Sequence, residues 1–152
     1  MVAEGESAPD FELETDEGES VRLSDFRGKP VILYFYPKDD TSGCTKEACG
    51  IRDSWGEFER RGAVVLGVSA DSVASHQRFK AKYHLPFTLL ADPEHEVAVL
   101  YGVWQPKRFA GKSFLGIVRS TFLIDAEGKV ARVWTKVDPA KHTGWLLAEL
   151  SS

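Results

Sequence analysis

An α/β fold built on a mixed central sheet is the class that this 152-residue sequence predicts. Three observations carry it. Val31 to Tyr36 is an unbroken β-prone apolar run stopped by Pro37, as a strand covered on both faces requires. Segments of helical period alternate with such runs, which favours parallel pairing of the strands they connect. Turn signals at Asp16-Glu17-Gly18 and at Asp125 to Gly128 add antiparallel hairpins to that parallel centre.

The elements follow in chain order. Phe11 to Leu23 alternates in polarity on both sides of Asp16-Glu17-Gly18, an N-terminal β-hairpin. The central strand at Val31 is followed by a helical stretch over 43–61. Ala63 to Ser69 repeats the buried-strand pattern, and helical spacing returns over 72–84. A short strand at Thr88 to Ala91 precedes a helical segment over 94–101. Ser120 to Ile124 and Val130 to Trp134 form the second hairpin. Asp138 as N-cap with Pro139 at the first helical position predicts a last helix over 139–150. No repeat, low-complexity tract or linker divides the chain, so one domain over 1–152 is expected.

Composition narrows the function classes. The net charge is −4, unevenly spread: the first twenty residues hold eight carboxylates and no Lys or Arg, and the remainder carries nineteen cations against fifteen carboxylates. Those cations are dispersed rather than clustered, which argues against nucleic acid as a partner. The longest apolar run has six residues, far short of the roughly 20 that span a bilayer. The amino end lacks a basic-then-apolar leader pattern, so the sequence reads as cytoplasmic. The four histidines are scattered without ligand spacing and are expected on the solvated surface, and neither a metal nor a cofactor site is predicted.

The most informative stretch begins at Cys44. Cys44, Ala48, Ile51, Trp55 and Phe58 fall on one helical face, placing Cys44 in a first turn and on the buried side. The free amides and positive dipole end there stabilise an anion, which favours the reactive thiolate. Cys49, the only other cysteine, lies about 140° around the helix, with a Cα separation of roughly 8.7 Å in an intact helix. A disulfide needs less than about 7 Å. Either the pair never bonds, or the first turns unwind, and Gly43 and Gly50 beside the cysteines weaken the helix.

The run Tyr36-Pro37-Lys-Asp-Asp-Thr41-Ser-Gly-Cys44-Thr-Lys-Glu47-Ala-Cys49 resembles the peroxiredoxin signature: a proline, a threonine four residues on, and the reactive cysteine three later. The second cysteine and the following Gly-Ile-Arg-Asp resemble the peroxiredoxin Q (bacterioferritin comigratory protein) subfamily. The likeness extends from Ala8-Pro9-Asp10-Phe11 to Arg119-Ser-Thr-Phe-Leu-Ile-Asp125, with Ser42 standing where the subfamily usually has proline.

The resemblance implies a thioredoxin-like fold and a thiol peroxidase acting on hydrogen peroxide or organic hydroperoxides, recycled by thioredoxin. By resemblance Cys44 is the peroxidatic cysteine and Cys49 the resolving one. Thr41 and Arg119 are polar partners of thiolate and peroxide, Pro37 shields the site, and Glu47 orients Arg119. A monomer is expected, because both cysteines lie in one chain. Trp104, Phe109 and Phe114 are open to two readings, an apolar mouth beside the site or ordinary packing. A disulfide reductase is disfavoured, since it typically uses Cys-x-x-Cys. A non-enzymatic binding protein with idle cysteines is the remaining alternative.

Overall fold

The computed structural model describes residues 1–150. Its elements are β1 (Glu12–Thr15), β2 (Ser20–Arg22), a 3-10 turn (Leu23–Phe26), β3 (Val31–Phe35), α1 (Ser42–Asp53), α2 (Trp55–Arg60), β4 (Val64–Ser69), α3 (Val73–Tyr83), β5 (Thr88–Ala91), α4 (Glu96–Leu100), β6 (Trp104–Phe109), β7 (Lys112–Ile117), β8 (Ser120–Ile124), β9 (Val130–Thr135) and α5 (His142–Leu150). Seven strands form one sheet in the order β2-β1-β5-β4-β3-β8-β9. β3, β4 and β5 pair in parallel, while β1, β2, β8 and β9 pair antiparallel around them. This is the mixed sheet with an N-terminal hairpin that the sequence predicts.

The alternation of β3 builds two cores. Val31, Leu33 and Phe35 join Leu66, Val68, Phe122, Tyr101 and Phe11 on one face. Ile32, Tyr34 and Tyr36 face the other way, where Cys44, Ala48, Ile51, Phe58, Phe79 and Leu146 cover them. The second face is therefore roofed by α1, α2, α3 and α5, and the cysteine helix lies directly on the central strand. Burial of an aliphatic or aromatic side chain stabilises by about 1.5–3 kcal/mol, so β3, with all five residues buried, anchors the whole.

Three expectations for the helices need correction, and one hairpin is added. The helix over 43–61 is two helices, interrupted at Ser54 (φ −110°, ψ 18°), so the apolar stripe continues through Trp55 and Phe58 only after a break. The last helix begins at His142 rather than Pro139. Asp138 instead accepts the Ala140 amide at 2.9 Å, closing a turn ahead of the helix. The segment over 94–101 shortens to Glu96–Leu100, because His95 sits in the left-handed region (φ 47°) and stops the helix from extending backwards. The hairpin of β6 and β7 was not anticipated. It turns on Ala110 and Gly111, both at positive φ (52° and 78°), the conformation a two-residue loop demands. No helix of the described residues is long and apolar enough to cross a membrane.

Candidate active site

α1 starts at Ser42 with Thr41 as N-cap, so Cys44 occupies the first turn as its spacing predicts. Cys44 is 2% exposed and Cys49 half-buried, and both thiols are free. Arg119, in the link between β7 and β8, reaches the cysteine: Nη2 lies 3.3 Å from Cys44 Sγ and Nη1 lies 2.6 Å from Glu47 Oε1. One planar fork thus ties the thiol to the carboxylate one turn along α1. Gly43 makes room for it, since a Cβ there would stand 3.1 Å from Arg119 Nη2.

The structure therefore brings Cys44, Glu47 and Arg119 into contact. Thr41 is exposed, and its hydroxyl donates to the Lys38 carbonyl at 2.8 Å, leaving its oxygen lone pairs available. Pro37 is half-buried, two residues beyond β3. Cys49 lies in a groove between α1 and the start of α5, with Lys46, Gly50, Asp53, Pro139, Ala140 and Thr143. Of the three aromatic residues left open by the sequence, Trp104 is packed and stacks on His95 at 4.0 Å, whereas Phe109 (77% exposed) and Phe114 (48%) project from the β6–β7 hairpin.

The loop from Pro37 to Thr41 is held from behind. The buried Asp39 carboxylate accepts the Tyr36 hydroxyl at 2.6 Å and the Ser75 hydroxyl at 2.8 Å, and its Oδ2 lies 2.7 Å from His76 Nδ1. His76 Nε2 lies 2.8 Å from the Leu90 carbonyl, which only accepts, so that nitrogen carries a proton. His76 and His142 are both 0% exposed, which overturns the expectation of surface histidines for these two, while His84 is exposed as expected.

His142 and Thr121 belong to the site, and sequence reasoning missed both. His142 Nδ1 approaches Glu47 Oε2 to 3.0 Å, and its Nε2 lies 2.8 Å from Thr121 Oγ1. Glu47, also 0% exposed, lies between a guanidinium and an imidazole. Burial pushes its carboxyl up from 4.5 to about 7, against the lowering pull of Arg119. Burial, then the Arg119 charge, pushes His142 down from 6.5 to about 3.

These opposite shifts have a measurable signature. Between pH 4.5 and 7 the folded chain keeps a Glu47 proton that the unfolded chain releases, so this contribution to stability is lost as pH rises. Between pH 3 and 6.5 the unfolded chain holds a His142 proton that the folded chain excludes, so that contribution grows as pH rises. From pH 4.5 to 6.5 the two cancel. Glu47→Gln should uncover the histidine dependence, a stability gain relative to the unaltered chain of about 1.4 kcal/mol per pH unit. His142→Leu should uncover a loss of similar slope. Urea unfolding at pH 4.5, 5.5 and 6.5 reads both, and parallel curves for all three proteins would contradict the coupling.

Residues 5–133 match the AhpC/TSA family. The bcp homologue of Coxiella burnetii is 56% identical over 146 residues, covering 96% of this chain and 97% of its own. Peroxiredoxin Bcp of Bacillus subtilis is 51% identical over 146 residues, covering 96% and 93%. Among solved structures, the Xanthomonas campestris bacterioferritin comigratory protein, studied for its alkyl peroxide reduction, superposes with a TM-score of 0.88 at 40% identity, covering 93% of this chain and 90% of the other.

Proposed function

The chain belongs to the AhpC/TSA family, is a peroxiredoxin of thioredoxin-like fold related to the Bcp and peroxiredoxin Q proteins, and on that premise we propose that Cys44 is its peroxidatic cysteine and Cys49 its resolving one. The observation that carries the reading is the Arg119 fork, which places a fixed positive charge 3.3 Å from a nearly buried thiol in the first turn of a helix.

The chemistry follows from that placement. Cys44 as thiolate attacks the nearer oxygen of a hydroperoxide, the O–O bond breaks with both electrons going to the departing oxygen, and that oxygen leaves as water or an alcohol once protonated. Arg119 offsets the charge at sulfur and on the departing oxygen, and its planar fork is fixed by Glu47 before reaction. The Thr41 oxygen accepts the peroxide hydrogen, because its own hydrogen is committed to Lys38. Pro37, half-buried just beyond β3, is proposed to shield the site from water, as the resemblance implies. The product is Cys44 sulfenic acid. The Cys49 thiolate then attacks that sulfur, hydroxide departs and is protonated, and an intrachain disulfide forms. An external dithiol, thioredoxin in our reading, exchanges it back to two thiols.

Bond formation requires α1 to open, because an intact helix holds the two cysteines too far apart. Hydrogen peroxide and organic hydroperoxides are both proposed as substrates. The chain is proposed to work as one domain and as a monomer, since the two reacting sulfurs share a helix.

The test separates the two cysteines. Cys49→Ser should reduce one equivalent of peroxide per chain at close to the unaltered rate and then stop, with Cys44 retained as sulfenic acid that dimedone traps. Catalytic turnover by Cys49→Ser with thioredoxin, thioredoxin reductase and NADPH would remove Cys49 from the cycle.

A further inference from the structure

Among the described residues, three buried polar atoms make no hydrogen bond: Tyr34 Oη, Glu47 Oε2 and His142 Nδ1. The last two face each other at 3.0 Å, out of hydrogen-bond alignment, behind the peroxidatic cysteine. Leaving a buried carboxylate oxygen and a ring nitrogen unpaired is costly, and a small rotation of either group pairs them. The rest of the cluster is already engaged. Glu47 Oε1 is on Arg119, His142 Nε2 is on Thr121, and Arg119 Nη2 is on Cys44.

We propose that His142, backed by Thr121, is a positioning residue for the peroxidatic centre: it holds Glu47 Oε2 whether Glu47 is a carboxylate or a carboxylic acid, and so keeps Oε1 on Arg119 and Arg119 on the cysteine. The inference rests on the peroxiredoxin reading and adds to it a residue 95 positions from Glu47 on a different helix.

The device depends on the two-faced chemistry of imidazole and hydroxyl. When Glu47 is ionised, His142 donates its Nδ1 hydrogen to Oε2, and Nε2 accepts the Thr121 hydroxyl hydrogen. When Glu47 is protonated, Oε2 donates to Nδ1, and Nε2 carries the ring hydrogen and donates to Thr121 Oγ1. The ring stays neutral in both cases, and Oε1 remains an acceptor for Arg119 throughout. Thr121 makes the exchange possible because a hydroxyl donates or accepts by rotating.

The charged and titratable groups around Glu47 are Cys44 on its own helix, Arg119 from the β7–β8 link, His142 from α5 and Tyr34 from β3, whose phenol burial keeps neutral. Lys107 on β6 lies near Arg119 and Cys44, donating to the Ile117 carbonyl at 2.9 Å. Among these groups His142 is the one whose approach to Oε2, 3.0 Å from Nδ1, lets it take up or give the proton there. The titration of Glu47 near 7 makes both protonation states part of working conditions.

The measurement is the second-order rate constant for Cys44 oxidation by hydrogen peroxide, followed by tryptophan fluorescence from pH 6 to 9 and expressed as the ratio of variant to unaltered protein at each pH. In His142→Leu the ionised form of Glu47 is still held by its ion pair with Arg119, whereas the protonated form has neither that charge nor an acceptor and turns away, so the ratio should be near one at pH 9 and fall about tenfold by pH 6. His142→Gln, whose amide also donates or accepts, should restore a level ratio near one. Thr121→Val, which keeps the shape of the side chain but loses the adaptable hydroxyl, should fall with pH as His142→Leu does. A level ratio in His142→Leu, whether at one or uniformly reduced, would mean the side chain only fills space and would overturn the proposal. Should His142→Leu fail to fold, the Gln and Val variants decide: the predicted contrast upholds the proposal and two level ratios overturn it. Absence of any peroxide reaction in the unaltered chain would overturn the assignment of Cys44 itself, a result distinct from a level ratio.

Discussion

Cys44→Ser is expected to abolish peroxide turnover, lowering NADPH consumption in the presence of thioredoxin and its reductase by about three orders of magnitude or more. A serine hydroxyl in the first turn of α1 keeps the shape of the site and the Arg119 contact, yet it remains un-ionised at any pH where the fold survives. An alcohol is also a poor nucleophile toward an O–O bond. The variant should fold, because the side chain is small and Arg119 gives its oxygen a donor 3.3 Å from where sulfur stood. Circular dichroism would confirm that loss of activity is chemical. Turnover within tenfold of the unaltered protein would mean that the reacting group lies elsewhere.

Arg119→Met should have the second largest effect, because it removes two functions at once. The rate of Cys44 oxidation should fall about 10²–10³-fold, the usual consequence of deleting a preorganised charge stabiliser. Glu47 should also lose its ion pair with Arg119, leaving the contact to the neutral His142 ring, so its carboxyl should rise further above 7 and stay protonated at neutral pH. That protonation relieves the buried charge, so the stability cost should stay nearer 2 kcal/mol than the 3–5 kcal/mol of a stranded ion. Arg119→Lys should fall between the two proteins, because an ammonium cannot span Glu47 and Cys44 as the fork does. Stopped-flow fluorescence and urea unfolding check each part, and a rate within threefold of the unaltered chain for Arg119→Met would contradict the assignment.

Which features the sequence revealed depended on whether their cause was local. Val31 to Tyr36 and Thr88 to Ala91 were legible because central strands are written in neighbouring residues. The burial of Cys44, Ala48 and Ile51 followed from helical spacing alone. Asp138-Pro139 misled because the same pair begins turns as readily as helices, and here Asp138 caps a turn. The break at Ser54 has no proline to mark it. The β6–β7 hairpin escaped because most of its residues are exposed and its apolar alternation is weak. His76 and His142 could not be placed from spacing. Each is buried by partners distant in sequence, Asp39 and Leu90 for one and Glu47 and Thr121 for the other. Arg119 was found only through the resemblance, since its neighbours on α1 lie more than seventy residues away.

The interruption at Ser54 sets how far oxidation can disturb the fold. α2 is pinned to the core by Phe58, which is 0% exposed, and Trp55 and Phe58 pack together at 6.3 Å between ring centroids. A continuous helix through this region would transmit fraying along its hydrogen-bond ladder and loosen that aromatic anchor. Because the ladder is already cut, the melting proposed to bring the cysteines together should be confined to the twelve residues of α1. Ser54 thus works as a firebreak: amide protection in α1 should vanish in the oxidised chain while that of Phe58 and of β4 beyond it persists, so the protein spends one helix per catalytic cycle and keeps the rest of its structure intact.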